Sequence, residues 1–281
     1  MNTFQKVIKY LAIAFAIFLT IGILTGIVSI VSGVFGVFSW EEENRMDFSM
    51  DYSGIEQLDI KHKVGTLNIK NGSGFRVEAT NVTDDFKAEV VNKTLVIEEP
   101  DFMRKFLGLD FGISNKKSII TVYVPEEFIA DRIKIESGVG EVNMENLSTE
   151  RLIIKAGVGD LYGKNITAKR VDADGGVGNM KLVDVKFTDV DFDSGVGNVD
   201  IEGVILGKSD FSCGVGSVNV RIQGAREDYA IRVDTGLGRV SVNGNKVSRD
   251  YNDTNRADNS IRISGGIGDV DIEFIDRKSV V

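Results

Sequence analysis

The sequence predicts an all-β protein: a parallel β-solenoid with rungs of about 19 residues, preceded by an N-terminal transmembrane helix. Three observations support this prediction. A Gly-x-Gly motif recurs seven times, apolar and polar residues alternate around each copy, and a long uncharged segment lies near the N-terminus. A phosphate-binding glycine loop occurs once, between a strand and a helix. The repetition therefore favours a structural role for these glycines.

The second glycines of the motifs are spaced by 19 residues four times, and then by 22 and 30. They are Gly140, Gly159, Gly178, Gly197, Gly216, Gly238 and Gly268. A fixed period of this size is typical of stacked repeats, and glycine adopts corner conformations that other residues avoid. We expect successive units to stack in chain order. One long, rolled antiparallel sheet is the alternative.

Apolar residues recur in register with these glycines and predict the inward columns of two short strands per rung. Before the corner they are pairs such as Ile133/Ile135 and Val190/Phe192, and after it Val142/Met144 and Val199/Ile201. Two further apolar columns accompany them: the residues between the glycines (Val139, Val158, Val177, Val196, Val215, Leu237 and Ile267), and Leu147, Ile166, Val185 and Val204. Such alternation indicates strands with one buried face.

The N-terminal segment at residues 10–40 contains no charged side chain. It exceeds the roughly 20 apolar residues that cross a bilayer and the short apolar region of a cleavable signal, although a cleaved signal peptide is the alternative. Lys6 and Lys9 precede the segment and acidic residues follow it. The positive-inside rule then predicts a cytoplasmic N-terminus at 1–9, a single-pass helix at 10–40 in the cell membrane, and an extracellular C-terminal domain.

Small residues form a stripe along one face of this predicted helix: Gly22, Gly26, Ser29, Gly33 and Gly36. Such a stripe lets membrane helices approach closely and predicts self-association or a membrane-protein partner. The alternative is that glycine is simply common in membrane helices.

The remaining chain divides into four predicted regions. A linker at 41–54 is followed by an N-terminal β region at 55–135 that caps the stack. Within this region "QLDIKHKVGTLNIK" is an irregular copy of the repeat, with Val64 and Gly65 in the motif columns. The Gly-x-Gly solenoid spans 136–275, and residues 276–281 form a tail.

Composition and charge narrow the possible functions. The net charge of −9 makes nucleic acid an improbable partner. A single cysteine, Cys213, excludes an internal disulfide and a cysteine zinc site. Cys213 and the single histidine, His62, fall in a column of small residues beside the corner. We interpret both as structural, and we expect no acidic neighbours at His62.

Outward-facing aspartates of successive rungs are expected to lie above one another. Asp172, Asp191 and Asp210 form one column, and Asp174 and Asp193 form the next. The face could bind Ca²⁺ or a basic partner, or it could be a solvated surface that opposes edge-to-edge association. Glycoside hydrolysis needs two carboxyl groups in different environments, whereas these look equally solvated. A polysaccharide-active enzyme is therefore a remote alternative, and no catalytic residue or cofactor is assigned.

The segments "SIITVYVPEEF" and "DRIKIESGVGEVNMENL", followed by serial "SGVGNVDI"-type units, resemble the bacterial putative-adhesin family of β-strand-repeat proteins over about residues 55–275. That family is a domain of unknown function, and it includes the membrane-anchored accessory protein of the Lia cell-envelope-stress system. The resemblance implies a surface-facing, non-enzymatic protein and supplies no functional residues. We expect an accessory or sensor component of the cell envelope. The alternative is an adhesin or a module that binds cell-wall polymer or a surface protein.

Overall fold

A computed structural model of the chain describes residues 45–100, 117–253 and 257–275. These residues belong to one compact unit. They form one 18-stranded sheet and a short 3-10 turn at Arg226–Asp228. The strands are β1 (Arg45–Tyr52), β2 (Gln57–Gly72), β3 (Phe75–Thr83), β4 (Lys87–Val91), β5 (Thr94–Glu98), β6 (Ser118–Pro125), β7 (Ile129–Val158), β8 (Leu161–Val177), β9 (Met180–Val196), β10 (Val199–Ile205), β11 (Lys208–Val215), β12 (Val218–Gln223), β13 (Tyr229–Leu237), β14 (Val240–Val242), β15 (Asn245–Val247), β16 (Asp250–Asn252), β17 (Asn259–Ile267) and β18 (Val270–Ile275). The all-β prediction is confirmed for this part of the chain.

None of the helical turns found in the described ranges has the length and apolar character needed to cross a bilayer. The transmembrane helix predicted at 10–40, its stripe of small residues and the tail at 276–281 lie outside the described residues.

Each repeat forms one rung, with two extended arms that meet at the Gly-x-Gly corner. Neighbouring rungs pair in parallel and in the expected register, so that Val171 lies beside Val190 and Leu161 beside Met180. The inward residues of both arms are buried and form one continuous core. Parallel stacking is therefore confirmed, and the antiparallel alternative is wrong for the repeats.

The corner glycines allow the backbones of adjacent rungs to approach closely. All seven predicted second glycines have φ between +137° and +150°. A Cβ at any of them would lie 1.7–1.9 Å from a carbonyl oxygen of the neighbouring rung. The first glycines are also confined, since a Cβ at Gly176 would lie 2.1 Å from the oxygen of Gly157. Both glycines of the motif are therefore required by backbone-to-backbone contact.

A second bend follows each outgoing arm, at residues with a left-handed backbone. Asn146, Asn165 and Asp184 occupy it with φ of 53–57°, a conformation that Asn and Asp tolerate better than most residues. The side-chain amide of Asn165 donates to Oδ1 of Asn146 at 2.8 Å. A second bend in each repeat was expected from the sequence, but its residues were not assigned, although they are also 19 apart.

The apolar column that was predicted at Leu147, Ile166, Val185 and Val204 is confirmed for the first three residues, which are buried. The assignment of Val204 to it was wrong. A register shift between Ile201 and Gly203 pairs Val204 with Lys186 and places Ile205 beside Phe187 in the core. An irregularity of one residue reverses which side chains face inward.

The last two rungs do not stack in chain order. β17 pairs with β11 on one side and β13 on the other, while β18 pairs with β12 and β14. The rung of Gly268 therefore lies between the rungs of Gly216 and Gly238. In sequence order, β13 and β14 form the outer rung, and the antiparallel strands β15 and β16 pair with it. β17 and β18 follow and occupy the position between this outer rung and the rung of Gly216.

An irregular repeat and several antiparallel strands lie at the N-terminal end of the stack. β2 is the irregular repeat, since Gly65 pairs with Gly140 of β7, and its other side pairs with β5 and β6. β4, β3 and β1 add antiparallel strands beyond these. β7 begins at Ile129, before the predicted start of the repeats at 136, and β1 occupies most of the segment expected to be a linker.

Candidate binding surface

The apolar residue between the two glycines of each motif is exposed to solvent. The alternation of buried and exposed side chains along the incoming strand would instead place it in the core. The paired glycines reverse the alternation at the corner, so that the middle side chain points to solvent. Their exposed fractions are 45–59%. We call this column the corner ridge; in stacking order it comprises Val64, Val139, Val158, Val177, Val196, Val215, Ile267 and Leu237.

The side chains of the corner ridge are apolar, and they stack in register along successive rungs. Eight rungs about 4.8 Å apart give a ridge of about 34 Å. Eight half-exposed Val, Ile and Leu side chains present roughly 600 Å² of surface, the upper end for an apolar patch on a monomer. Glycine columns flank it on both sides, so the side chains stand above bare backbone. A continuous exposed apolar line of this length indicates a contact surface.

A polar ladder borders the ridge on the side of the outgoing arm. The backbone N–H of Asn179 donates to Oδ1 of Asp160 at 2.8 Å, and that of Asn198 donates to Oδ1 of Asn179 at 3.1 Å. The N–H of Ser217 continues the series by donating to Oδ1 of Asn198 at 3.1 Å. These side chains satisfy backbone donors that the corner leaves without a strand partner, which fixes this border.

The acidic columns lie on the other side, and their predicted register is confirmed. Asp191 pairs with both Asp172 and Asp210, and Asp193 pairs with Asp174. Nε of Arg151 donates to Asp172 at 3.0 Å, and Nε of Arg262 lies 3.6 Å from Asp210. Asp191 has no ion pair among the described residues. Burial and the four surrounding aspartates raise its pKa, so the centre of this face is its most negative part.

Among the residues that the structure describes, no group of three or more His, Cys, Asp or Glu side chains could hold a metal ion. Ca²⁺ on the acidic face stays a prediction.

A groove of about 600 Å³ runs beside the ridge at the N-terminal half of the stack. Glu136, Lys155 and Asp174 line one wall, and first glycines of the motifs contribute to its lining. His62 lies at the edge of this groove.

The expectation that His62 has no acidic neighbour was wrong. Its ring is buried, with Nδ1 3.3 Å from Oγ of Ser137 and Nε2 3.8 Å from Oε2 of Glu99. Glu99 follows β5 in the adjacent rung, so the contact depends on strand pairing that the repeat pattern does not show. Burial lowers the pKa of His62, and Glu99 opposes this effect.

This cluster lacks the arrangement of a hydrolytic triad. The hydroxyl of Ser118 donates to Glu99 at 2.6 Å, and Glu99 also accepts the backbone N–H of Lys63 at 2.6 Å. A serine nucleophile needs its proton taken by a base such as imidazole, whereas the carboxylate lies between Ser118 and His62. Ser137 contacts the ring, but Nε2 of the buried imidazole lies 3.8 Å from Glu99, too far for the hydrogen bond that orients the base of a triad. The geometry favours the structural interpretation of His62.

Cys213 is buried, as predicted, with Sγ 3.7 Å from the carbonyl oxygen of Gly197. Burial raises the pKa of its thiol. Because the thiolate is the reactive form, this cysteine is a packed small side chain, not a nucleophile.

The fold and this surface define a β-repeat domain that is built from stacked parallel rungs. The sequence profile of the Toastrack DUF4097 family matches residues 55–252, and the chain belongs to that family. No curated protein matches it.

Three solved structures are similar to this chain at low sequence identity. A putative cell adhesion protein from Clostridium sporogenes is 20% identical, with a TM-score of 0.41 over 83% of this chain and 100% of the other. A putative adhesin from Bacteroides fragilis is 15% identical, with a TM-score of 0.44 over 83% and 97%. A putative lipid binding protein from Parabacteroides distasonis is 13% identical, with a TM-score of 0.36 over 83% and 98%.

Proposed function

We propose that this chain is a single-pass, extracellular, non-enzymatic binding protein of the bacterial cell envelope, and that the corner ridge is its contact surface. The observation that carries the proposal is the ridge itself. One exposed apolar side chain per rung continues through eight successive rungs, which makes the ridge a continuous apolar line. Rigid solenoids offer extended surfaces of this kind for protein contact.

The envelope role rests on the sequence. An uncharged segment at 10–40 anchors the chain, and its small-residue stripe contacts a membrane partner or a second copy. The resemblance to the envelope-stress accessory protein supports an accessory or sensor component that joins such a partner.

One observation favours a second candidate, an adhesin or cell-wall-polymer binder. The groove beside the ridge is open, and its wall alternates in charge from Glu136 through Lys155 to Asp174. Such a wall suits a polymer that carries charges of both signs, and in this case the membrane segment serves only as an anchor.

Co-purification of the full-length protein from gently solubilised membranes tests these candidates. Three proteins are compared: the native chain, a chain with an unrelated membrane helix, and a ridge variant with Val158→Ser, Val177→Ser and Val196→Ser. The matched control is Val90→Ser, Val91→Ser and Leu206→Ser, which changes three apolar residues that are 39–45% exposed and lie in β4 and after β10, away from the ridge.

We expect the ridge variant to lose its protein partners and the matched control to keep them. Partners that also require the native helix support the accessory role. A wall polymer captured by all four proteins favours the adhesin alternative, and partners unaffected by the ridge variant would contradict the assignment of the surface.

A further inference from the structure

We infer that the occupant of the corner ridge is an α-helix that lies along the solenoid axis and carries Lys or Arg beside its apolar stripe. This inference rests on the proposed function, because it names the partner of the same surface. It is argued from the spacing of the ridge and from the charge of its borders.

The spacing of the ridge matches a helix. Ridge side chains recur about every 4.8 Å, and the apolar face of a helix recurs about every 5.4 Å along its axis, once per turn. The mismatch of about 0.6 Å per rung leaves roughly three turns in register before it reaches 2 Å. An extended strand along the same axis repeats its face about every 6.7 Å and loses register after the first contact.

The charge of the borders selects a basic helix. The two polar columns that flank the ridge hold seven acidic and three basic residues, a net charge of −4. The acidic ones are Glu136, Glu141, Asp160, Asp174, Asp193, Asp234 and Asp269, and the basic ones are Lys61, Lys155 and Arg239.

The negative charge is concentrated at the middle of the ridge and on one side. Beside Val177 and Val196 the incoming arm carries Asp174 and Asp193, with Asp191 behind them, and its nearest basic residue is Arg170, four positions before Asp174. The other border at these rungs carries Asn179 and Asn198, whose side-chain oxygens accept backbone N–H groups. The helix therefore places its cations on the aspartate side.

A second copy of this chain is the main competitor, because its ridge has the same 4.8 Å repeat. Two copies packed ridge to ridge, however, bring two borders of net charge −4 together. Like charges across an interface are strongly unfavourable. Such a pair would bury roughly 1,200 Å² of surface, which is the lower limit for a specific interface. Charge complementarity therefore favours a basic helix over a second copy as the occupant.

Titration of a fluorescent peptide against the full-length protein in phosphatidylcholine nanodiscs tests the inference, with empty nanodiscs as the blank. The probe is a 21-residue helical peptide with Leu at every third or fourth position and Lys on the flanks. One control peptide replaces Lys by Glu, and a second keeps the composition but distributes Leu around the helix.

We expect each control peptide to bind at least tenfold more weakly than the probe. The ridge variant described above should lose binding by a similar factor, while the Val90, Val91 and Leu206 control retains it. Asp174→Asn with Asp193→Asn should weaken binding about three- to tenfold and reduce its salt dependence. Equal binding of the Lys and Glu peptides, or binding that survives the ridge variant, would overturn the inference.

The outcomes separate this inference from the proposed function. Loss of natural partners in the ridge variant, together with no binding of the Lys peptide, leaves the proposed function standing and refutes the basic helix. Analytical ultracentrifugation that shows a dimer abolished by the ridge variant would identify the second copy as the occupant and also refute it.

Discussion

The backbone N–H of Gly216 donates a 2.8 Å hydrogen bond to the carbonyl oxygen of Ile267, although 51 residues separate them. This bond joins the corner of Gly216 directly to that of Gly268. The corner of Gly238, which comes between them in the sequence, is not part of this contact. Within the described ranges, the parallel partners of β13 and β14 are β17 and β18. The C-terminal rung therefore connects residues 229–252 to the rest of the stack.

A chain that ends at Asp253 should keep the stack through β12 but release β13–β16. In the described part of the stack, β17 and β18 connect β13 and β14 to β11 and β12, and the shortened chain lacks these two strands. In hydrogen–deuterium exchange, amides of 229–252 should lose protection, while those of 161–196 stay protected. Retained protection in 229–252 would show that β13 pairs directly with β11 when β17 is absent.

Gly178→Ala should destabilise the domain by about 3 kcal/mol or more. The new Cβ would lie 1.9 Å from the carbonyl oxygen of Gly159 at a φ of +150°, and neither backbone can retreat without shifting a rung. Gly74→Ala is the matched control, since no atom lies within 4 Å of its Cβ position. Urea unfolding measures both, and equal midpoints would contradict the role assigned to the corner.

The period of the repeat predicts most of the stack, because each rung contacts only its neighbours. The buried columns, the corner glycines and the aspartate register follow from residues 19 apart. The pattern cannot show where the chain leaves this order. Both the insertion of β17 and β18 and the bulge before Gly203 depend on which free strand edge a segment reaches, and that is set by the whole stack.

The contact surface was harder to predict than the fold. Val177 is apolar and alternates correctly with buried neighbours, so periodicity alone places it inside. The signal that could have identified the ridge is the pair of glycines around it, because a chain that turns sharply between two glycines cannot continue the alternation. His62 was misjudged for a different reason, since Glu99 reaches it only through strand pairing.

Asp191→Asn should stabilise the domain at pH 7 by about 0.2–1 kcal/mol, the usual cost of like charges on adjacent strands. The pKa of Asp191 is raised in the folded state, so the folded carboxyl holds its proton more tightly than the unfolded one. Its ionisation therefore costs stability as the pH rises, and the amide removes that cost.

Asp172→Asn is the matched change in the same column. It should give no comparable gain, because it also removes the ion pair with Arg151. Urea unfolding at pH 7 compares the two variants. A gain for Asp172→Asn as large as that for Asp191→Asn would show that the column acts as a uniform solvated face.

His62 should make the domain less stable below about pH 6.5. Burial lowers the pKa of the folded imidazole, whereas the unfolded imidazole titrates near 6.5. As the pH falls through 6.5 the unfolded chain takes up a proton that the folded chain resists, so its contribution to stability is complete above this pH and declines below it. Each kcal/mol lost should lower the melting temperature by about 2–4 °C.

Melting temperatures of the native chain and His62→Asn between pH 5.5 and 7.5 check this expectation. His62 is the single histidine of the chain, so the asparagine variant should show a smaller decline toward pH 5.5, whatever its absolute stability. Glu99 faces the ring and opposes the shift, and Glu99→Gln should therefore steepen the decline. An unchanged pH dependence in His62→Asn would assign the effect to a carboxyl group with a lowered pKa, such as that of Glu136, which accepts a hydrogen bond from Lys134.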